Sequence, residues 1–194
     1  MHLHNYEKRN RSQSVGLRIR LSEKDKTHLE KLNEALEYNK EIKIVKNYGN
    51  YGGNLAEFVV YSRKIVKDLN KNGITCGNKS CKENIPNFED KNLIKNFILG
   101  LFDGDGSIVK TEKSHEWSIV SSYEMCNFIK DFLEGELNIK FQKINKDSSH
   151  CKDLYRIRTS SKKTIKKLYE YFYSNGNNSK YYLDRKYETM KLFS

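Results

Sequence analysis

Ile98-Leu99-Gly100-Leu101-Phe102-Asp103-Gly104-Asp105-Gly106-Ser107 decides how the rest of this 194-residue chain is read. Leu93, Ile94, Phe97, Ile98, Leu101 and Phe102 recur at helical spacing, and the run stops at Asp103-Gly104-Asp105-Gly106. Gly100 and Gly104 stand four apart on one face of that helix, where a missing side chain lets another backbone come very close. Asp103 and Asp105 fall at the helix exit, the negative end of the peptide dipole, where more negative charge is unfavourable unless a cation is near. A helix that packs backbone to backbone and delivers Asp105 to a metal satisfies both features. Two plainer readings compete. A calcium loop opening at Asp103 needs Gly at its sixth position and Glu at its twelfth, and those positions hold Ile108 and Ser114. A helix end with no chemistry is also compatible with glycine there.

Working outward, the chain carries 36 Lys and Arg against 25 Asp and Glu, a net charge of +11, which favours a polyanionic partner. Charge alone fits ribosomal proteins and many inert surfaces equally well. No run of 18 apolar residues offers a membrane span, and the polar start Met1-His2-Leu3-His4-Asn5 is unlike a signal peptide. The expected location is therefore not the secretory route but the cytoplasm, with the nucleoid, or an organelle or phage as host. Cys76, Cys81, Cys126 and Cys151 are irregularly spaced, and no second pair matches Cys76-x4-Cys81, so reduced thiols are expected rather than zinc ligands.

Periodicity from Glu89 onward predicts helix, strand, strand, helix, strand, strand, helix, opening after Pro86 with Asn87 or Asp90 as cap. The strands fall at 107–112, 116–121, 139–144 and 154–159, and the later helices at 123–137, 161–173 and about 181–192. Residues 15–72 repeat most of this order: strand 15–21, helix 23–36, strands 41–46 and 55–61, helix 63–72. Residues 1–14 offer neither a glycine-spaced apolar helix ending in Asp nor the strand after it. The expected organisation is a partial half over 1–86, lacking that helix, and a complete half over 87–194.

Ile98 to Gly106 resemble, position by position, the nine-residue signature of the LAGLIDADG homing endonucleases. The resemblance implies an α+β fold of two pseudo-repeated αββαββα halves, the first truncated at its N-terminus, with antiparallel DNA-binding sheets forming a saddle on duplex DNA. It implies a site-specific endonuclease of intron or intein mobility, hydrolysing phosphodiesters with Mg²⁺ (or Mn²⁺) held by Asp105. Asp103 is the signature's earlier, more often structural, acid. Gly73-Ile74 to Lys79-Ser80 and Tyr182 to Glu188 resemble further family stretches, which carries over Lys79 and Lys186 as electrostatic stabilisers or water-orienting groups; the plainer reading of each is a solvated surface lysine. Ser22 and Ser121 or Ser122 fall where the family places a water-ordering side chain. The chain supplies one motif Asp where the reaction wants two. A second chain could bring the missing helix, two copies could pair, or cutting could be lost, leaving a binder of DNA or intron RNA.

A two-stranded ribbon fits the major groove, with alternate side chains facing the bases. The outward candidates are Arg18, Arg20, Lys43, Lys110, Glu112, Lys140, Gln142, Arg156 and Arg158. Arg and Gln suit guanine and adenine edges, whereas most lysines would touch phosphate and carry no sequence information. One further resemblance competes at Arg18–Leu36, where Arg-Ile-Arg-Leu-Ser-Glu before a leucine-spaced helix is similar to ribbon-helix-helix repressors. The strand expected at 41–46, in place of a second helix, argues against it.

Overall fold

Strict side-chain alternation builds the first sheet. The computed structural model describes residues 2–6, 14–48, 53–74, 85–147, 153–174 and 181–194, and divides into two units, Met1–Lys79 and Ser80–Ser194. In the first unit, β1 (His2–Tyr6), β2 (Ser14–Ser22), β3 (Lys43–Tyr48) and β4 (Gly53–Tyr61) form an antiparallel sheet of order β1-β2-β4-β3. Opposed residues share a face. Leu17 with Val60, Ile19 with Phe58 and Leu21 with Ala56 point inward, under α1 (Lys26–Ala35) and α2 (Arg63–Lys71). β1 corrects an expectation: a strand does precede β2, in register from His2 opposite Arg18 to Tyr6 opposite Ser14. Its five residues are too short and too polar for alternation to reveal, and pairing with β2 decides the matter. No helix precedes β1 among the described residues.

The second unit opens with α3 (Lys91–Asp105), followed by β5 (Gly106–Lys110), β6 (His115–Ser121), α4 (Tyr123–Leu137), β7 (Asn145–Lys146) and β8 (Tyr155–Thr159). It closes with α5 (Lys162–Tyr169), a π-helical turn (Glu170–Ser174) and α6 (Asp184–Lys191). The sheet order is β5-β6-β8-β7, the same connectivity as in the first unit. Residues 139–144 are not the expected strand. Their alternation survives, with Ile139 and Phe141 buried and Lys140 and Gln142 exposed, but only the Gln142 N–H reaches across, to the Arg158 carbonyl at 3.2 Å. Ladder pairing is confined to Asn145–Lys146.

The helix starts show why the two halves repeat. Ser62 accepts the Ile65 N–H, Ser122 the Met125 N–H and Ser161 the Thr164 N–H, each at 3.2 Å. A serine within two residues of a strand's end satisfies a donor that the first helical turn leaves open, worth about 1 kcal/mol. Ser122, expected as a water-ordering group, is thus a helix cap. Fully buried Trp117 anchors the second core, stacked on Phe102 at 5.3 Å and tilted against Phe141 at 5.7 Å.

Candidate functional site

Helix α3 begins at Asp90, whose carboxylate accepts the Asn92 N–H at 2.8 Å. Ile98, Leu99 and Phe102 bury one face in the core. The other face carries Leu93, half exposed, with Asn96, Gly100 and Gly104, and a Cβ added at either glycine would meet nothing within 4 Å. Among the described residues, then, the glycine stripe lies open.

The helix ends in an exposed Asp105, while Asp103 is 7% exposed and accepts the Leu183 N–H at 3.1 Å, just ahead of α6. Lys186, one turn into α6 and 3% exposed, donates to the carbonyls of Phe102, Asp103 (3.0 Å) and Gly106 (2.6 Å). The two helices are tied in both directions: Asp103 holds the start of α6 and Lys186 holds the end of α3. A cation beside this helix terminus, expected from the dipole, is built into the fold as the Lys186 ammonium. Lys186 does not present that ammonium to an open site. Lys79 lies outside the described residues, as do Cys76, Cys81 and Cys151; Cys126 is a buried thiol that donates to the Tyr155 carbonyl at 3.4 Å.

Tyrosines flank this junction. Tyr173 packs on Tyr182 and Tyr187, both at 5.1 Å between ring centroids. Burial, reinforced by the Asp103 carboxylate, pushes the Tyr173 phenol far up. A hydrogen bond with Tyr187, with burial behind it, raises Tyr169 to about 12. These phenols stay neutral through the physiological range.

The sheets sort the proposed DNA-reading residues. In the first unit Arg18, Arg20 and Lys43 share the outward face, gathered around Glu57. Arg20 Nε lies 2.6 Å and Arg18 Nε 3.6 Å from Glu57 Oε2, and Lys43, exposed, stands directly opposite Glu57. In the second unit Arg156 and Arg158 face outward but are not equivalent. Arg156 reaches Asp147 Oδ2 at 2.7 Å and Ser118 Oγ at 3.2 Å. Arg158 makes one long contact, to Glu116 Oε2 at 3.4 Å, and its side chain is 42% exposed.

Lys110 is a correction: it pairs with His115 on the helix-covered face, and its ammonium donates to the Leu192 carbonyl at 2.6 Å over the Phe193 ring. The β5–β6 register sets Ile108 opposite buried Trp117 and Lys110 opposite His115, which puts Lys110 on the same side as Ile108. Lys140 is exposed and pairs with Glu134 at 3.0 Å. Burial acts against charge on Glu134, but the Phe141 N–H and the Lys140 ammonium outweigh it and hold its carboxyl below the usual range. Gln142 is exposed, and Glu112 lies in the β5–β6 turn rather than in a strand. Glu57, Glu116, Ser118 and Asp147 were missed as outward or rim groups. The first three alternate with Phe58, Trp117 and Ile119, a legible signal that the search for cations passed over.

Among the described residues no three His, Cys, Asp or Glu side chains converge as a metal cage. The Phe102 and Asp103 carbonyls at the end of α3 are held by Lys186. What remains is one exposed carboxylate, which suits a Mg²⁺ ion completed by water and phosphate oxygens and does not suit a site closed by protein alone.

Two four-stranded antiparallel sheets of identical connectivity, with an apolar glycine-notched helix ending in an exposed Asp, define the α+β fold of the LAGLIDADG homing endonucleases. Residues 92–173 match the family model described as a LAGLIDADG-like domain. Those residues are a LAGLIDADG-like domain. Among solved structures, it is similar to the meganuclease I-AabMI bound to uncleaved DNA, at 13% identity and a TM-score of 0.56, covering 99% of this chain and 84% of that one. I-DmoI in complex with DNA and Ca is similar at 15% identity and a TM-score of 0.61, covering 98% and 90%. Full-length DUF199/WhiA from Thermatoga maritima is similar at 18% identity and a TM-score of 0.53, covering 91% of this chain and 51% of that protein. No curated protein sequence matches the chain.

Proposed function

We propose that this chain binds duplex DNA through the outward faces of its two sheets and cuts it as a divalent-metal-dependent endonuclease of homing type. The observation that carries the cutting is the exposed Asp105 carboxylate at the end of an intact motif helix. Mg²⁺ (or Mn²⁺) held there would neutralise the scissile phosphate, lower the pKa of a bound water and stabilise the leaving oxygen. The protein's own share is narrower. Asp105 offers one ligand, Asp103 and Lys186 fix the chain on either side of it, and Arg18, Arg20, Lys43 and Arg158 supply the outward positive charge. One carboxylate is half of what the reaction wants, so a second carboxylate has to come from elsewhere. The open stripe at Gly100 and Gly104 leaves room for another helix to bring it, from a second chain or a second copy.

A second reading keeps the DNA contact and drops the cutting. It is favoured by the single motif helix among the described residues; duplex DNA or intron RNA would then be held without hydrolysis. Either way the protein acts where its nucleic acid lies: nucleoid, organelle or phage genome. Incubation with a library of long duplexes and Mg²⁺ tests both. Cutting that disappears in Asp105→Asn supports the enzyme, tight binding without cutting supports the binder, and affinity indifferent to salt counts against both.

A further inference from the structure

We infer that Lys186 is a positioning residue: its ammonium sets the backbone where α3 passes into β5, and hence the place of Asp105, without reaching a phosphate. The inference deepens, and for its consequence for cutting rests on, the assignment of Asp105 above. An ammonium has three donor hydrogens, and three carbonyls receive them here, those of Phe102, Asp103 and Gly106. These carbonyls belong to the last turn of α3 and the first residue of β5, so one side chain clamps both sides of Asp105. At 3% exposure the amine would have to abandon all three bonds to meet a nucleic acid. The clamp is reciprocated, because Asp103 Oδ2 takes the Leu183 N–H and seats α6 against the helix that α6 secures. Lys186 and α6 lie beyond residues 92–173, so the junction depends on a helix outside the segment that matches the family model.

Two measurements on the full-length chain test this. In the native protein, reductive methylation followed by peptide mapping should leave Lys186 unmodified while exposed Lys162, Lys163 and Lys166 react. Reaction of Lys186 at the rate of those three, without DNA present, overturns the proposal. In Lys186→Met, binding to a long mixed-sequence duplex should keep its dependence of log affinity on log salt, whereas loss of a phosphate contact lowers that slope by about one. A slope reduced by that amount overturns it.

Where cutting is measurable, a displaced Asp105 should slow it by roughly a hundredfold. Lys186→Arg should fail to restore the rate, because a planar fork cannot converge on three carbonyls from a buried site; rescue by arginine overturns the proposal. Methylation requires no variant to fold, and neither methylation nor the salt slope requires the chain to cut. A chain that binds but never cuts would remove the Asp105 reading and leave the Lys186 clamp standing.

Discussion

Gly106→Ala should be the most damaging single-methyl change at the candidate site. Gly106 lies in extended backbone at φ −83° and ψ 165°, so alanine meets no conformational barrier there. The barrier is contact. A Cβ at this position would lie 2.5 Å from the Phe102 carbonyl oxygen and 2.8 Å from its Cα, and would collide with Phe102 Cδ2. Two of these are backbone atoms of the helix itself, and Phe102 is pinned beneath by fully buried Trp117, so neither side can yield cheaply. Forcing a methyl into packed structure costs about 1–3 kcal/mol. Moving Gly106 also draws its carbonyl away from Lys186, at about 1.5–3 kcal/mol for a bond to a charged donor. The combined loss, about 2.5–6 kcal/mol, corresponds to roughly 10–24 °C in melting temperature at about 4 °C per kcal/mol for a domain of this size. Trp117, the chain's single tryptophan, sits against the perturbed helix and makes thermal unfolding by fluorescence the direct assay. Gly104→Ala, with nothing within 4 Å, serves as the matched control. A Gly106→Ala protein melting within about 2 °C of the native chain would refute the steric account, since even the smallest cost above exceeds that shift.

Asp105→Asn should abolish metal-dependent cutting yet leave the melting temperature unchanged or raise it slightly, because it removes an exposed negative charge from a helix C-terminus, worth about 0.3–1 kcal/mol; a large fall would mean the carboxylate is structural. Gly100→Ala should stabilise the isolated chain by roughly 0.5–1 kcal/mol while weakening whatever must lie along the open stripe, read by melting and by sedimentation at rising concentration. Arg156→Ala should cost about 1.5–3 kcal/mol through loss of the charged bond to Asp147, and Arg158→Ala under about 0.5 kcal/mol, with the larger effect on DNA affinity; equal stability losses would contradict their different partners. Alkaline stability should fall from about pH 10 to 12: Tyr169 and Tyr171, ordinarily at 10, are raised to about 12, the former chiefly by Tyr187 and the latter by burial, so the unfolded chain releases those protons first. Unchanged melting across that window would exclude the effect.

Most of the second unit was legible because its periods are unambiguous. Residues 123–137 carry Met125, Phe128, Ile129 and Leu133 at helical spacing, and α4 spans those very residues. Trp117 and Ile119 likewise alternate with Glu116 and Ser118 in β6. The misses were non-local. β1 exists because β2 offers it an edge, and 139–144 falls short of a strand because the ladder on that edge of β8 is confined to 145–146. Asp105 at a helix end could be read from Gly and Asp spacing alone. That the neighbouring cation is Lys186 depends on how α6 closes back on α3, a contact eighty residues apart in sequence that no local pattern encodes.

Lysine use in the second unit changes what the net charge of +11 means. Lys186 holds carbonyls at the end of α3, Lys167 donates to Leu137 and Asn138 at the end of α4 at 2.9 and 3.3 Å, and Lys110 donates to Leu192 at the end of α6 at 2.6 Å. Three helix termini thus each have a lysine opposing the negative end of a dipole. On the outer faces, Arg20 and Arg18 share Glu57, and Arg156 and Arg158 share Glu116. Charge committed in this way stabilises the fold and orients side chains, but releases few counterions when a polyanion binds. The salt dependence of DNA binding should therefore correspond to far fewer phosphates than the formal excess suggests, and Glu57→Gln should steepen it by about one unit by uncovering the cations around it. A native slope close to the full excess, or no change in Glu57→Gln, would mean these pairs open when DNA arrives and that the outward faces are more strongly positive than their resting geometry implies.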